Sequence, residues 1–139
     1  MTNAFSSYGS TLSVGDGGSP TEQFTPIAEV IDITGPGGEN GEIEVTHLGS
    51  TAKEFIADLI DYGQVTANAN FLPGDTQHDQ LLADIASRTV RNYEVSWPTS
   101  PASTAVFAAY VQSYQPNVAT GQQGQASLTL RVTGAVTYA

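Results

Sequence analysis

The sequence contains no cysteine. Disulfides, thiolate nucleophiles and cysteine-based zinc sites are therefore excluded, and a reducing compartment is a permissible place to fold. Basic residues are nearly missing as well. Four Lys and Arg stand against fourteen Asp and Glu, for a formal net charge of −10. The four are Lys53, Arg88, Arg91 and Arg131, too few and too scattered to form a phosphate-binding stripe, so tight binding of nucleic acid is not expected. No apolar run approaches the 18 or so residues of a membrane-spanning helix, and the charged-then-apolar start of a signal peptide is missing, so neither is expected. Charge of either sign is scarce: 13 % of the residues are Asp, Glu, Lys or Arg. Much of the surface must then be Ser, Thr, Asn, Gln, Gly and Ala. Such a surface suits burial against another protein, where a charge is costly to desolvate.

Sites of chemistry are equally sparse. His47 and His78 are the only histidines. No G-x-S-x-G elbow accompanies them, so no hydrolytic triad is expected. Asp75, His78 and Asp79 have a spacing that can place three ligands on one side of a metal ion. A hard cation needs more ligands, and the cluster reads instead as ordinary acidity at a helix start. Gly15-Asp-Gly-Gly18 lacks the Lys and Ser/Thr of a phosphate loop and reads as a turn. Tyr93, Trp97, Tyr110 and Tyr114 suit a sugar-stacking platform, but aromatics at strand spacing belong more often to a core or an interface. The expectation is no catalytic residue, no metal and no cofactor.

The 139 residues fit one domain, long enough to bury roughly 65–70 % of the surface that the unfolded chain exposes. Residues 1–10 are small, polar and without pattern, and read as a flexible terminus. Residues 11–139 read as the single domain. A short strand is expected at 11–14 and a longer one at 24–33, where Glu29 interrupts an apolar parity formed by Ile27, Ile31 and Ile33. Gly35, Pro36, Gly37, Gly38, Glu39, Asn40 and Gly41 form a glycine-rich loop. A strand through Ile43 and Val45 follows. Ala52, Phe55, Ile56, Leu59 and Ile60 then fall at helical spacing, behind a Thr51–Glu54 capping box. This spacing predicts a first helix, with Phe55, Ile56 and Leu59 as its anchor on a sheet. Val65, Ala67, Ala69 and Phe71 alternate with Gln64, Thr66, Asn68 and Asn70, the clearest strand signal in the chain. A second short helix, capped at Thr76, carries Leu81, Leu82 and Ile85. Strands at 92–97, 105–114 and 126–133 close the sequence. The strand 105–114 is apolar on both faces and needs two covers. The expected fold is mainly β: a sandwich or barrel of about seven strands with a flanking α-helix and a second short helix.

The stretch Ile43-Glu-Val-Thr-His-Leu-Gly-Ser50, then Lys53-Glu-Phe-Ile56 and Asp61-Tyr-Gly63, followed by the alternating strand 64–71, resembles the siphophage major tail tube protein family. So do Phe107 to Val111 and the closing Leu130-Arg-Val-Thr-Gly134. The order and spacing of elements carry the resemblance over about residues 11–137. Asp58-Leu59 departs from the Gly-Leu common in the family. The resemblance implies a structural subunit of a phage tail, related in architecture to type VI secretion tube proteins and to subunits of gene transfer agents. Such a subunit would be made in the host bacterial cytoplasm and would assemble into stacked hexameric rings. The implied partners are further copies of itself, a tape measure protein, and tail terminator and initiator proteins, with DNA passing through the lumen without tight binding. The loop 35–41 is then the candidate inter-ring contact. Gln64, Thr66, Asn68, Asn70, Glu42, Glu44 and Glu94 are the candidates for the ring wall and lumen. The C-terminal strands, nearly free of Lys and Pro, lack the usual guards of a sheet edge, which fits pairing with a neighbour. The alternative is a β-sandwich recognition module, such as a virion decoration or carbohydrate-binding domain.

Overall fold

The computed structural model describes residues 4–18, 21–99 and 101–139. The expected mobile terminus thus lies partly outside the described residues. Nine strands and one helix follow in chain order: β1 (Thr11–Gly15), β2 (Phe24–Pro26), β3 (Val30–Thr34), β4 (Glu39–Glu44), β5 (Phe55–Asp61), β6 (Gln64–Asn70), α1 (Thr76–Ser87), β7 (Val90–Trp97), β8 (Ser103–Asn117) and β9 (Gln125–Tyr138). Seven strands form one sheet in the order β2-β1-β7-β8-β9-β6-β3, and β4 and β5 pair only with each other. Every pairing is antiparallel.

The alternation expected of β6 is present. Val65, Ala67 and Ala69 are buried, while Gln64 and Asn68 are exposed. The same parity runs through Tyr93 and Val95 of β7, Ala105 to Val111 of β8, and Ala126 to Val132 of β9. These residues line one face and make the core with Leu12, Val14 and Ile27. Tyr93 and Phe107 stack at its centre with ring centroids 6.2 Å apart. Near the far end of β8 a bulge between Val111 and Ser113 resets the parity, so that Tyr114 returns to the core. Before the bulge the strand reads as apolar on both faces because its outward residues Val106, Ala108 and Tyr110 are apolar or aromatic too, the first two half-buried and the third exposed.

Helix α1 lies over the core face, burying His78, Leu81 and Asp84. Its N-cap is Asp75 rather than Thr76: the Asp75 carboxylate accepts from the backbone N–H groups of Gln77 and His78 at 3.1 and 3.3 Å. At the other end Asp84 and Arg91 form a two-pronged ion pair, with Nε–Oδ2 at 2.7 Å and Nη2–Oδ1 at 3.1 Å. This pair ties α1 to β7, and its hydrogen bond holds the Arg91 guanidinium above its ordinary pKa.

The sheet curls but does not close. Residues 27–29 link β2 at one end of the sheet to β3 at the other. The four steps from Pro26 to Val30 span at most about 14 Å, so the two outer strands come close without pairing. The long expected strand 24–33 is thus two strands broken at Glu29. Glu29 takes the left-handed region (φ 56°), and its carbonyl accepts from the Asn70 N–H at 3.0 Å. The mainly-β expectation holds, but the two helices do not. Among the described residues there is one, and the stretch assigned to the first helix is β5.

Candidate assembly surfaces

A strand with one buried face must present the other. The outward face of β6 carries Gln64, Thr66, Asn68 and Asn70, and across the pairing β9 presents Ser127, Thr129 and Arg131 beside them. These side chains bond to one another. Gln64 Nε2 donates to Gln112 Oε1 at 2.6 Å, Ser127 Oγ to Asn68 Oδ1 at 3.2 Å, and Asn68 Nδ2 to both Asp32 oxygens at 3.1 Å. Asn70 Nδ2 reaches Glu29 Oε1 at 3.3 Å. Arg131 is the cation of this face, and its Nη2 is held by both Asp61 oxygens at 3.0 and 3.1 Å. The Gly63 N–H, and after it Arg131, hold the Asp61 carboxyl below the usual carboxylate range. Glu94 lies outward on β7. Over β6 and β9 the face is therefore amide, hydroxyl and carboxylate, with its positive charge already paired, and the outward residues of β8, Val106, Ala108 and Tyr110, form an uncharged strip between it and Glu94.

Glu42 and Glu44 are elsewhere. They sit on β4, whose hairpin with β5 rises from the loop 35–38 and returns to the sheet at Tyr62-Gly63. Every strand residue of that hairpin is exposed. Phe55 and Ile56 are each 51 % exposed and Leu59 86 %, so they anchor no helix on the sheet. Two features of the sequence imitated a helix. A register break between Asn40 and Glu42 sets an extra β5 residue against Gly41, where an added Cβ would stand 3.1 Å from that of Asp58. That shifts the apolar spacing away from two. The supposed capping box closes the hairpin instead: Glu54 N–H donates to Thr46 Oγ1 at 2.9 Å, and Ser50 Oγ to Glu54 Oε2 at 2.8 Å. Glu39, Asn40 and Gly41 of the expected loop belong to β4, leaving Gly35 to Gly38 as the connection. Gly63, at φ +69°, makes the two-residue return to the sheet.

Backbone hydrogen-bonding capacity is free at the outer edges of β2 and β3. It is free also where β8 runs past Tyr110, its last partner on β7, and where β9 runs past Arg131, its last partner on β6. β6 itself is paired on both sides, by β9 and β3, so it offers no edge to a neighbour.

A family profile described as lambda phage tail tube protein matches residues 7–139. The chain belongs to that family. Solved tail structures share its fold. A protein from the virion of a native gene transfer agent superposes with a TM-score of 0.77 at 13 % identity, over 98 % of this chain and 99 % of that one. A component of an extracellular contractile injection system, from its sheath/tube terminator, gives 0.75 at 16 % identity, over 100 % and 99 %. The SPP1 tail tube gives 0.69 at 10 % identity, over 93 % and 75 %. No curated protein sequence matches the chain significantly. Tail tube proteins are virion structural components, and this one is a tail tube protein by family.

In this tail tube chain the residues weighed for chemistry have structural roles. His78 is buried between α1 and the β2–β3 corner. The Ala28 carbonyl, 3.1 Å from Nε2, can only accept, so Nε2 carries a hydrogen, and Nδ1 shares a hydrogen bond with the Tyr114 hydroxyl. Burial, then Asp75 and Asp79, raise the pKa of that hydroxyl. Asp75 is used as the N-cap, and no group of metal-ligating side chains occurs among the described residues. Tyr93, Tyr114 and half-buried Trp97 belong to or pack against the core, not a stacking platform. His47 lies exposed at the hairpin tip, 3.7 Å from Glu54. Asp16 closes the turn after β1, its pKa lowered by the Gly18 and Gln23 N–H groups. The sequence reasoning missed the exposed hairpin. Its signal was available: Glu42, Glu44, Glu54 and Asp58 interleave with Ile43, Phe55, Ile56 and Leu59, a mixture that no buried strand tolerates.

Proposed function

We propose that this chain is the structural subunit of a phage tail tube, self-assembling into stacked hexameric rings whose lumen conducts DNA during ejection. Residues 11–139 act as the one tube domain. The chain works by geometry and catalyses nothing. The observation that carries the reading is the outward face of β6 and β9, where Gln64, Thr66, Asn68 and Asn70 form bonded amide and hydroxyl rows and Arg131 is tied to Asp61. Duplex DNA carries one negative charge per roughly 1.7 Å of axis, so a basic wall would hold it through many phosphates. A wall of amides, hydroxyls and carboxylates, continued by the uncharged outward strip of β8 to Glu94, lets it slide.

Neighbours in a ring pair through the unpaired backbone edges of β2, β3 and β9. The connection Gly35 to Gly38 and the hairpin beyond it, with Glu42 and Glu44, reach an adjoining ring. The flat exposure of apolar residues on both hairpin faces supports this, because patches of that kind mark contact surfaces. A tape measure protein and terminator and initiator proteins are the partners expected beyond the chain itself. The subunit is made in the host cytoplasm and works in the virion tail.

Negative-stain microscopy of concentrated protein should show rings or tubes. A gel shift at about 150 mM salt, where phosphate contacts are already weakened, should show no retention of duplex DNA. Featureless monomers at every concentration, or retained DNA, would overturn the reading.

A further inference from the structure

Two surfaces of this chain are left open in complementary ways. The first is a groove of about 390 Å³ where α1 ends and β7 begins, lined by Ile85, Arg88, Val90, Tyr110, Val111 and Gln112. Val90 and Tyr110 are cross-strand partners, and both are exposed, as is Ile85. Arg88 stands at the helix C-cap. Among the described residues, Arg91 and Arg131 have carboxylate partners and Arg88 has none. Arg88 is thus the free cation on the body of the molecule, and it stands on an apolar groove.

The second surface is one face of the β4–β5 hairpin. The cross-strand pairs Glu44–Phe55 and Glu42–Ala57 put two carboxylates and an exposed aromatic ring side by side, since directly opposed residues share a face. The hairpin holds a single cation, Lys53, beyond the end of β4. The hairpin does not lie on its own groove, because all its strand residues are exposed.

We infer that the groove at Ile85, Arg88, Val90 and Tyr110 receives the β4–β5 hairpin of a second copy of this chain. Phe55 enters the apolar groove and Glu42 or Glu44 pairs with Arg88. Charge selects this occupant: in a chain of net charge −10, an acidic hairpin meets repulsion over most of a neighbour's surface and finds a free guanidinium here. Each copy carries one hairpin and one groove, so the contact is head-to-tail and propagates from copy to copy. The inference rests on the tube-subunit reading and adds the receptor site and its ion pair.

The test is a charge swap. Arg88→Glu and the pair Glu42→Lys/Glu44→Lys should each raise the protein concentration needed for assembly at least about tenfold, or ~1.4 kcal/mol. The three changes together should restore it to within about threefold of wild type. All these residues are exposed, so each monomer should keep the wild-type melting curve. Because the chain has no cysteine, trapping is free of background. Ala57→Cys chains mixed with Gln112→Cys chains and oxidised after assembly should give an intermolecular disulfide. Arg88→Glu protein that assembles at the wild-type concentration, a triple variant that stays impaired, or assembled chains that do not cross-link would overturn the docking alone. Wild-type protein that never assembles would overturn the tube reading and the docking with it.

Discussion

Replacing Arg91 with Met isolates one of the strongest ties in the molecule. Asp84 is 3 % exposed and its two oxygens are taken by Arg91 at 2.7 and 3.1 Å. Met keeps the length and apolar stem of the arginine and removes the charge. The Asp84 carboxylate is then left in the protein without a cation. Breaking one side of a buried pair costs about 3–5 kcal/mol. Against a total stability of about 5–15 kcal/mol, that is a large fraction. For a chain of this size it lowers the melting temperature by about 10–20 °C. Urea unfolding at pH 7 measures it directly, as a fall in midpoint with unchanged slope. The double variant Asp84→Leu/Arg91→Met should recover most of the loss, because no unpaired charge remains. A single variant that loses under about 1 kcal/mol at pH 7, or a double variant that recovers none of the loss, would refute the reasoning.

Three further outcomes are expected. Phe107→Ala removes a ring that is 2 % exposed and stacked on Tyr93, and should cost about 3–5 kcal/mol in urea unfolding; a loss below about 1 kcal/mol would mean that the two strands do not form the centre of the core. Asp61 should titrate below 3.8 when followed through the Gly63 amide signal, since that N–H and then Arg131 favour its charged form. Its contribution to holding the hairpin base is present above the ordinary carboxylate pKa and is lost as pH falls through the lower folded value, and a midpoint at or above 3.8 would contradict the clamp. Replacing residues 39–60 with a short linker, which spares the Asp61–Arg131 pair, should leave the melting temperature of the monomer nearly unchanged while abolishing assembly, because those residues bury nothing in the isolated chain; a collapse of the sheet would show that the hairpin is part of the fold.

The sequence was legible wherever one face of an element meets the core and the other meets water. Val65, Ala67 and Ala69 against Gln64, Thr66 and Asn68 are such a case, and β6 is where the alternation placed it. In β7, Tyr93 and Val95 read the same way. The reading failed where that contrast is missing. On the hairpin neither face is buried, so nothing enforced a period of two, and the extra residue opposite Gly41 moved Phe55, Ile56, Leu59 and Ile60 into helical spacing. The polar residues of β6 were identifiable because they lie on one strand. The groove beside Arg88 was not, because it joins residues from α1, β7 and β8, and only the register of Val90 on Tyr110 brings them together.

The imidazole of His78 pins three parts of the chain at one point: α1 carries it, Tyr114 of β8 meets one nitrogen, and the Ala28 carbonyl at the β2–β3 corner meets the other. The corner joins the two outer strands of the sheet. For a subunit that repeats around an axis, the angle between its two mating edges works like the taper of a keystone. A small error in taper is multiplied by the number of stones, and an arch cut slightly wrong either gapes or will not close. A rigid peg at the corner, packed on all sides, removes that play before any neighbour arrives. In the tube proposed above, the dimension that matters most to the bore would be gauged inside each block, by a side chain that is buried before assembly.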